Sequence, residues 1–147
     1  MTEVSFYILD GASADDRLRF ACRLAAQSWR RHLPVFLFSP EAQAAELDTL
    51  LWEFRDASFV PHRRSDDQSL PASPVEIGQN DSPAHHHGLL INLGDHIPDW
   101  FSRFDRTAEI TCNTPELLEA LRERYRFYES RGYPLQTHRL DQATSTR

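Results

Sequence analysis

Short apolar runs alternate with amphipathic segments along most of the chain. Residues 4–9 form an apolar, β-rich run that stops at Asp10-Gly11, a pattern typical of a strand followed by a turn. From Asp15 to Arg31 the apolar positions recur every three or four residues, which predicts an amphipathic helix. The wholly apolar run at 34–38 predicts a buried strand, and residues 41–53 predict a second helix.

The alternation continues through the second half of the chain. The pattern predicts strands at 58–62, 74–77, 89–93 and 107–112, polar loops at 63–73 and 78–87, and a short helix at 98–104. Thr114 and Pro115 are typical of a helix start, and they open a last helix that runs to about Arg131. Gly132 follows as the expected C-terminal glycine.

This order of elements predicts an α/β protein with a mainly parallel sheet covered on both faces, a three-layer α/β/α arrangement. The chain has 147 residues, enough for one domain with a substantial core. We expect a single domain over residues 1–140. The polar tail at 141–147 is expected to be disordered.

The predicted topology is suggestive of a nucleotide-binding α/β domain, but the first turn lacks a phosphate-binding loop. Such loops are rich in glycine because backbone amides must approach phosphate closely. Here the turn at 10–15 contains one glycine and carries carboxylates at Asp10 and Asp15. The sequence therefore disfavours a dinucleotide site. A small nucleotide-binding enzyme that uses the loops at the carboxyl ends of the strands remains an alternative.

Charge and composition narrow the chemistry further. The chain has 16 basic and 22 acidic residues, a net charge of −6, and every basic residue other than histidine is arginine. An acidic total disfavours coating of nucleic acid by phosphate neutralisation, and the lack of lysine excludes lysine-based chemistry. Direct DNA binding through the last helix is a further alternative. Cys22 and Cys112 are too few and too far apart for a disulfide framework or a zinc site, and we expect buried thiols.

No catalytic residue, metal site or cofactor is predicted. His85-His86-His87 is interpreted as a solvated loop, because adjacent histidines point in different directions and no other ligand stands at a motif spacing. The GxSxG nucleophile motif is absent from the sequence. The chain also shows no secretory signal and no apolar stretch long enough to span a membrane, so we expect a soluble, cytoplasmic protein.

Large aromatic residues cluster where the second helix meets the next strand. Trp52 and Phe54 are followed closely by Phe59-Val60-Pro61-His62. These side chains either close the core or form an exposed apolar patch for a partner, since large aromatics are enriched at interfaces. The sequence leaves both interpretations open.

The last helix carries an apolar stripe beside a basic face. Leu118, Leu121, Tyr125 and Tyr128 follow the spacing of one helix face. Arg122 and Arg126 lie four residues apart on a neighbouring face, and the pairs Glu119–Arg122 and Glu123–Arg126 have i,i+3 spacing. Arg124 and Arg131 add to this cationic end. The face is either a solvated surface with ion pairs or a site for a carboxylate and an aromatic ring.

Several segments, in order and spacing, resemble the chi subunit family of bacterial DNA polymerase III holoenzyme. They are Phe6-Tyr7-x-Leu9, Leu51-Trp52, Ser58-Phe59-Val60-Pro61-His62, Pro74-Val75-Glu76-Ile77 and Arg122-Glu123-Arg124-Tyr125-Arg126-x-Tyr128. The resemblance covers residues 3 to about 139. It implies a Rossmann-like fold without a nucleotide site and a protein with no catalytic activity of its own.

The resemblance also implies two partners. Family members bind the acidic C-terminal tail of single-stranded-DNA-binding protein, which ends in phenylalanine, and the matching positions here are Arg122, Tyr125, Arg126 and Gly132. They bind the psi subunit of the clamp loader through positions that match Trp52, Phe59 and Val60. DNA would be contacted only indirectly, and no cofactor or membrane is implied. The loops at 63–73 and 78–87 depart from the family pattern.

Overall fold

The computed structural model describes residues 1–10, 14–53, 60–66, 72–79 and 87–140. The elements in chain order are β1 (Glu3–Leu9), α1 (Ala14–Arg30), β2 (Val35–Phe38), α2 (Glu41–Glu53), β3 (His62–Arg64), β4 (Val75–Gly78), β5 (Leu89–Asn92), a 3₁₀ helix (Phe101–Arg103), β6 (Arg106–Cys112), α3 (Pro115–Ser130) and β7 (Leu135–Leu140). The elements predicted up to α2 agree with these bounds to within one residue.

The strands within the described residues form one sheet in the order β3-β4-β2-β5-β6-β1-β7. Every neighbouring pair is parallel. Helices α1 and α2 pack on one face, whereas α3 and the 3₁₀ helix pack on the other. The predicted three-layer α/β fold is confirmed.

Alternate side chains of the central strands divide between two cores. In β2, Val35 and Leu37 belong to the core under α1 and α2, whereas Phe36 and Phe38 belong to the core under α3. Side chains of successive strand residues point to opposite faces, so a strand covered on both faces has to be apolar throughout. This explains the uninterrupted apolar run at 34–38.

Two edge strands differ from the prediction. In the described residues β3 begins at His62, after Pro61, and continues through Arg63 and Arg64, which were predicted to start a loop. Proline has no amide hydrogen to donate, and an edge strand paired only with β4 tolerates arginines. Strand β7 was not predicted at all, because its polar sequence reflects an exposed edge paired only with β1.

The predicted helix at 98–104 is a single 3₁₀ turn at Phe101–Arg103. The aromatic residues in and around this turn explain the apolar pattern that predicted a helix at 98–104. Phe101 and Phe104 are buried in the core under α3, and Trp100 packs edge-on against Phe36 with ring centroids 5.6 Å apart.

Glu76 on β4 is a fully buried carboxylate close to the β3 edge. Burial alone would raise its pKa, but three donors favour the charged form and the net pKa is lowered. These donors are the Ser65 hydroxyl at 2.9 Å, the Ser73 amide at 3.3 Å and Nε of Arg63 at 3.2 Å. The acidic residue in the Pro74–Ile77 segment therefore holds the connection between β3 and β4.

Candidate functional site

A cavity of about 300 Å³ lies between α3 and the strands β1 and β7. It is lined by Ile8, Leu118, Leu121, Arg122, Tyr125, Arg126, Thr137 and Arg139. The structure thus brings together three of the residues singled out from the sequence, Arg122, Tyr125 and Arg126. One turn of α3 separates Arg122 from Arg126, which places both guanidinium groups on the same side of the helix.

Of the described residues that line this cavity, all the charged ones are arginines. Arg122 is exposed and donates to Glu119 at 3.3 Å, the i,i+3 pair that the sequence predicted. Within the described residues Arg126 has no carboxylate within 4.0 Å. An exposed i,i+3 pair is worth only a few tenths of a kcal/mol. The Glu119 contact therefore leaves Arg122 able to exchange partners.

The apolar part of the cavity is built from the stripe predicted on the last helix. The Tyr125 ring lies against Phe6 of β1, with ring centroids 5.3 Å apart, which fixes one wall. Leu118 and Leu121 lie on the helix side and Ile8 on the sheet side. A guanidinium pair beside an apolar slot is suited to a ligand that joins a carboxylate to an aromatic ring.

Gly132 does not line this cavity. It follows the C-terminus of α3 with φ of +78°, in the left-handed region. Its amide donates to the Glu129 carbonyl at 3.0 Å, and the Tyr133 amide donates to the Tyr128 carbonyl at 3.2 Å. These two bonds form a Schellman motif, which ends the helix at the glycine where the sequence predicted its end. At the other end, the Thr114 hydroxyl accepts from the Leu117 amide and caps the helix as expected.

Gly132→Ala is expected to lower the free energy of unfolding by about 1–2 kcal/mol, the cost of placing a Cβ in the left-handed region. A Cβ at this position would meet no atom within 4 Å, so a steric clash adds nothing to this cost. Urea denaturation would measure the difference. Glu129→Ala, at an exposed position of the same turn, is the control and should change stability by less than about 0.5 kcal/mol. Equal stability of Gly132→Ala and wild type would contradict this account.

The charge of Arg124 is taken up inside the protein, which corrects its assignment to the cationic end of α3. Its Nη1 lies 2.6 Å from Oε1 of Glu109 on β6, and its Nη2 donates to the Gly94 carbonyl at 2.8 Å. The second carboxylate oxygen of Glu109 accepts from the Tyr128 hydroxyl at 2.7 Å and from the Asn92 amide at 2.9 Å. This Glu109 network joins α3 to β5 and β6.

Burial raises the pKa of Tyr128 well above its ordinary value, and the neighbouring Glu109 carboxylate raises it further. The phenol therefore stays protonated and donates to Glu109. The sequence contained a signal for this network, since Glu109 interrupts an otherwise apolar and β-branched strand. A charge buried at such a position requires a partner.

A second candidate surface lies on α2, on the opposite face of the sheet. Trp52 is 61% exposed, and its ring lies against the ring of His62 with centroids 4.6 Å apart. His62 is buried, with Nδ1 2.8 Å from the Val60 carbonyl and Nε2 3.3 Å from Oδ1 of Asp48. Val60 is 3% exposed and belongs to the core. Phe59 lies outside the described residues.

The two interpretations of this aromatic cluster therefore apply to different residues. Val60 closes the core, whereas Trp52 presents its ring to solvent. The His62 ring packs against the Trp52 ring, and the contact of His62 with Asp48 connects β3 to α2.

Another cavity, of about 370 Å³, opens at the carboxyl ends of β5 and β6, where a nucleotide-binding enzyme would place its ligand. Its two arginines are already engaged by protein acceptors. Arg124 binds Glu109 and the Gly94 carbonyl, and Nε of Arg17 donates to the Ile110 carbonyl at 2.8 Å. The turn at 11–13 lies outside the described residues. The geometry of this cavity does not favour phosphate binding.

Both cysteines are buried free thiols, as expected. Burial raises the pKa of Cys22 to about 12 and also raises that of Cys112, which disfavours the nucleophilic thiolate. In the part of the chain that the structure describes, no three metal-binding side chains come together and no helix has the length and apolar character needed to cross a membrane. Of the histidine tract only His87 is described, as an exposed residue.

Comparison with known proteins places these features in one family. Residues 1–136 match the family model of the DNA polymerase III chi subunit, HolC. The DNA polymerase III subunit chi of Pseudomonas aeruginosa is 42% identical over 141 residues, which cover 95% of this chain and 98% of the relative. The subunits chi of Haemophilus influenzae and Escherichia coli are 33% and 30% identical, and each alignment covers more than 90% of both chains. The chain belongs to the DNA polymerase III chi subunit family.

Proposed function

We propose that this protein is a non-catalytic adaptor of the DNA polymerase III holoenzyme. It links the clamp loader, through the psi subunit, to the acidic C-terminal tail of single-stranded-DNA-binding protein, and it acts in the cytoplasm. The observation that supports the tail-binding role is the cavity between α3 and β7, where Arg122 and Arg126 stand beside Tyr125 and an apolar slot. DNA is contacted only indirectly.

The chemistry of the tail suits this cavity. A C-terminal phenylalanine offers a carboxylate next to an aromatic ring, and aspartates before it add further negative charge. The guanidinium groups of Arg122 and Arg126 can donate paired hydrogen bonds to the terminal carboxylate. The phenylalanine ring enters the slot beside Tyr125, Leu121 and Leu118. Such a small and partly exposed contact should have a Kd on the order of micromolar and should weaken with salt.

Weak binding fits the adaptor role. Many copies of single-stranded-DNA-binding protein on one DNA strand present many tails, so a high effective concentration compensates for low affinity at each site. The acidic body of the protein, with a net charge of −6, repels the DNA backbone while the arginine-lined cavity attracts an acidic peptide.

Titration of a fluorescently labelled acidic peptide ending in phenylalanine tests the tail-binding role. Arg122→Gln and Arg126→Gln are each expected to weaken binding about tenfold, because each removes a charge-assisted hydrogen bond to carboxylate. Arg19→Gln is the matched control, since it removes one exposed arginine from α1 on the other face of the sheet. Binding that survives both α3 substitutions would exclude this cavity as the tail site.

A pull-down distinguishes the adaptor from the two alternatives. Single-stranded-DNA-binding protein should be captured when intact and lost when its final residues are deleted. A nucleotide-binding enzyme would instead be stabilised against heat by millimolar nucleotide, and a direct DNA-binding module would bind oligonucleotides without the partner protein.

A further inference from the structure

Arg139 on β7 lies on the wall of the cavity opposite Arg122 and Arg126. The strand alternates its side chains, so that Leu135 packs in the core under α3 whereas Leu140 packs under α1 and α2. Thr137 and Arg139 therefore face α3. The sequence did not single out Arg139, because the strand that carries it was not predicted.

The charge of Arg139 is available to a ligand. Within the described residues Arg139 has no carboxylate within 4.0 Å, whereas Arg122 pairs with Glu119 and Arg124 with Glu109. Arg139 is exposed, on the edge strand of the sheet. A guanidinium held on a strand is better positioned than one on a loop.

Arg139 also stands where the cavity joins a second one. That second cavity, of about 360 Å³, is lined by Ile8, Asp10, Asn113, Arg139 and Leu140, so Ile8 and Arg139 are shared by both. Among the described residues, Asp10 is the one charged residue on its far side, and its exposed carboxylate would repel a second acidic group. The two cavities together therefore favour an acidic ligand side chain beside Arg139 and disfavour a second one beside Asp10.

We propose that Arg139 binds a side-chain carboxylate of the acidic tail, upstream of the terminal phenylalanine, while Arg122 and Arg126 bind the terminal carboxylate. This assignment rests on the proposed tail-binding function and adds a third arginine to it. The bound peptide runs from α3 across to β7. Arg139 then makes binding depend on the acidic side chains of the tail, whereas the two arginines of α3 recognise its terminal carboxylate.

The test is a titration of Arg139→Gln with three labelled peptides. The first is the acidic peptide ending in phenylalanine, the second has asparagine in place of every aspartate, and the third keeps the aspartates but has an amidated C-terminus. Arg139→Gln should bind the first peptide about fivefold more weakly than wild type does. It should bind the asparagine peptide as wild type does, and the penalty for amidation should be unchanged.

Arg139→Lys and Arg19→Gln complete the design. The lysine variant keeps the charge and should recover most of the affinity, whereas Arg19→Gln repeats the change in net charge on the other face of the sheet and should bind all three peptides as wild type does. An unchanged thermal midpoint in Arg139→Gln would verify that the edge strand is intact.

The possible failures can be told apart. If Arg122→Gln and Arg126→Gln weaken binding but Arg139→Gln does not, the tail site stands and the role of Arg139 is refuted. If Arg139→Gln weakens the acidic and asparagine peptides equally, Arg139 does not bind the upstream carboxylates. If none of the three substitutions weakens binding, both the tail site and the role of Arg139 are wrong.

Discussion

Glu109→Ala is expected to lower the free energy of unfolding by about 3–5 kcal/mol, the usual effect of removing one partner of a buried ion pair. The side chain of Glu109 is 1% exposed and that of Arg124 is 18% exposed. Without the carboxylate, the guanidinium of Arg124, the hydroxyl of Tyr128 and the amide of Asn92 each lose an acceptor. Urea denaturation of the variant and the wild type would measure the loss.

Glu119→Ala is the matched control for this prediction. Glu119 also pairs with an arginine of α3, but both side chains of that pair are more than 60% exposed. Its removal should cost less than about 1 kcal/mol, because solvent screens the exposed pair. A loss below about 1 kcal/mol for Glu109→Ala as well would mean that the buried network does not hold α3 on the sheet.

Trp52→Ala is expected to weaken association with psi at least about thirtyfold, the effect of removing an aromatic hot-spot residue worth about 2 kcal/mol. The same substitution should lower the free energy of unfolding by less than about 1 kcal/mol, because the ring is 61% exposed and loses mainly its contact with His62. Calorimetric titration with psi and urea denaturation of the free protein measure the two effects separately.

Leu117→Ala is the comparison for Trp52→Ala. Leu117 is another exposed apolar side chain, 43% exposed, but it lies in the first turn of α3, where it lines the cavity at the carboxyl ends of β5 and β6. Its truncation should leave binding of psi unchanged. If Trp52→Ala instead unfolds the domain, or if both variants bind psi equally well, the proposed docking role of Trp52 is refuted.

The central part of the fold could be predicted because burial on both faces leaves a clear trace in the sequence. β2 is an uninterrupted apolar run, β5 is apolar over residues 89–91, and the helices between strands show regular apolar spacing. The edge strands β3 and β7 could not be predicted in the same way. Each pairs with one neighbour and exposes part of its length, so arginines and other polar residues replace the apolar pattern.

Only the part of the candidate site that lies on α3 could be predicted from the sequence. The spacing along α3 places Arg122 and Arg126 on one side with Tyr125 close by, and this part of the prediction needs no tertiary information. The pairing of Arg124 could not be predicted, because its partner Glu109 is 15 residues away in sequence and on another element. The position of Arg139 beside the cavity could not be predicted either, because it depends on the parallel pairing of β7 with β1. Long-range pairing of this kind is not encoded in local periodicity.

The positions of α2 and α3 have a consequence for how the two proposed partners would influence each other. α2 covers β3 and β4 on one face, and α3 covers the opposite face near β6, β1 and β7. Five strand spacings, roughly 24 Å, lie between β3 beside Trp52 and β1 beside the α3 cavity, and the thickness of the sheet adds to this separation. We therefore expect that neither proposed partner would occlude the other and that their binding free energies would add, with a coupling free energy close to zero. Occupancy of one end would then carry no signal to the other, and the protein would act as a passive bridge whose two contacts can be weakened independently.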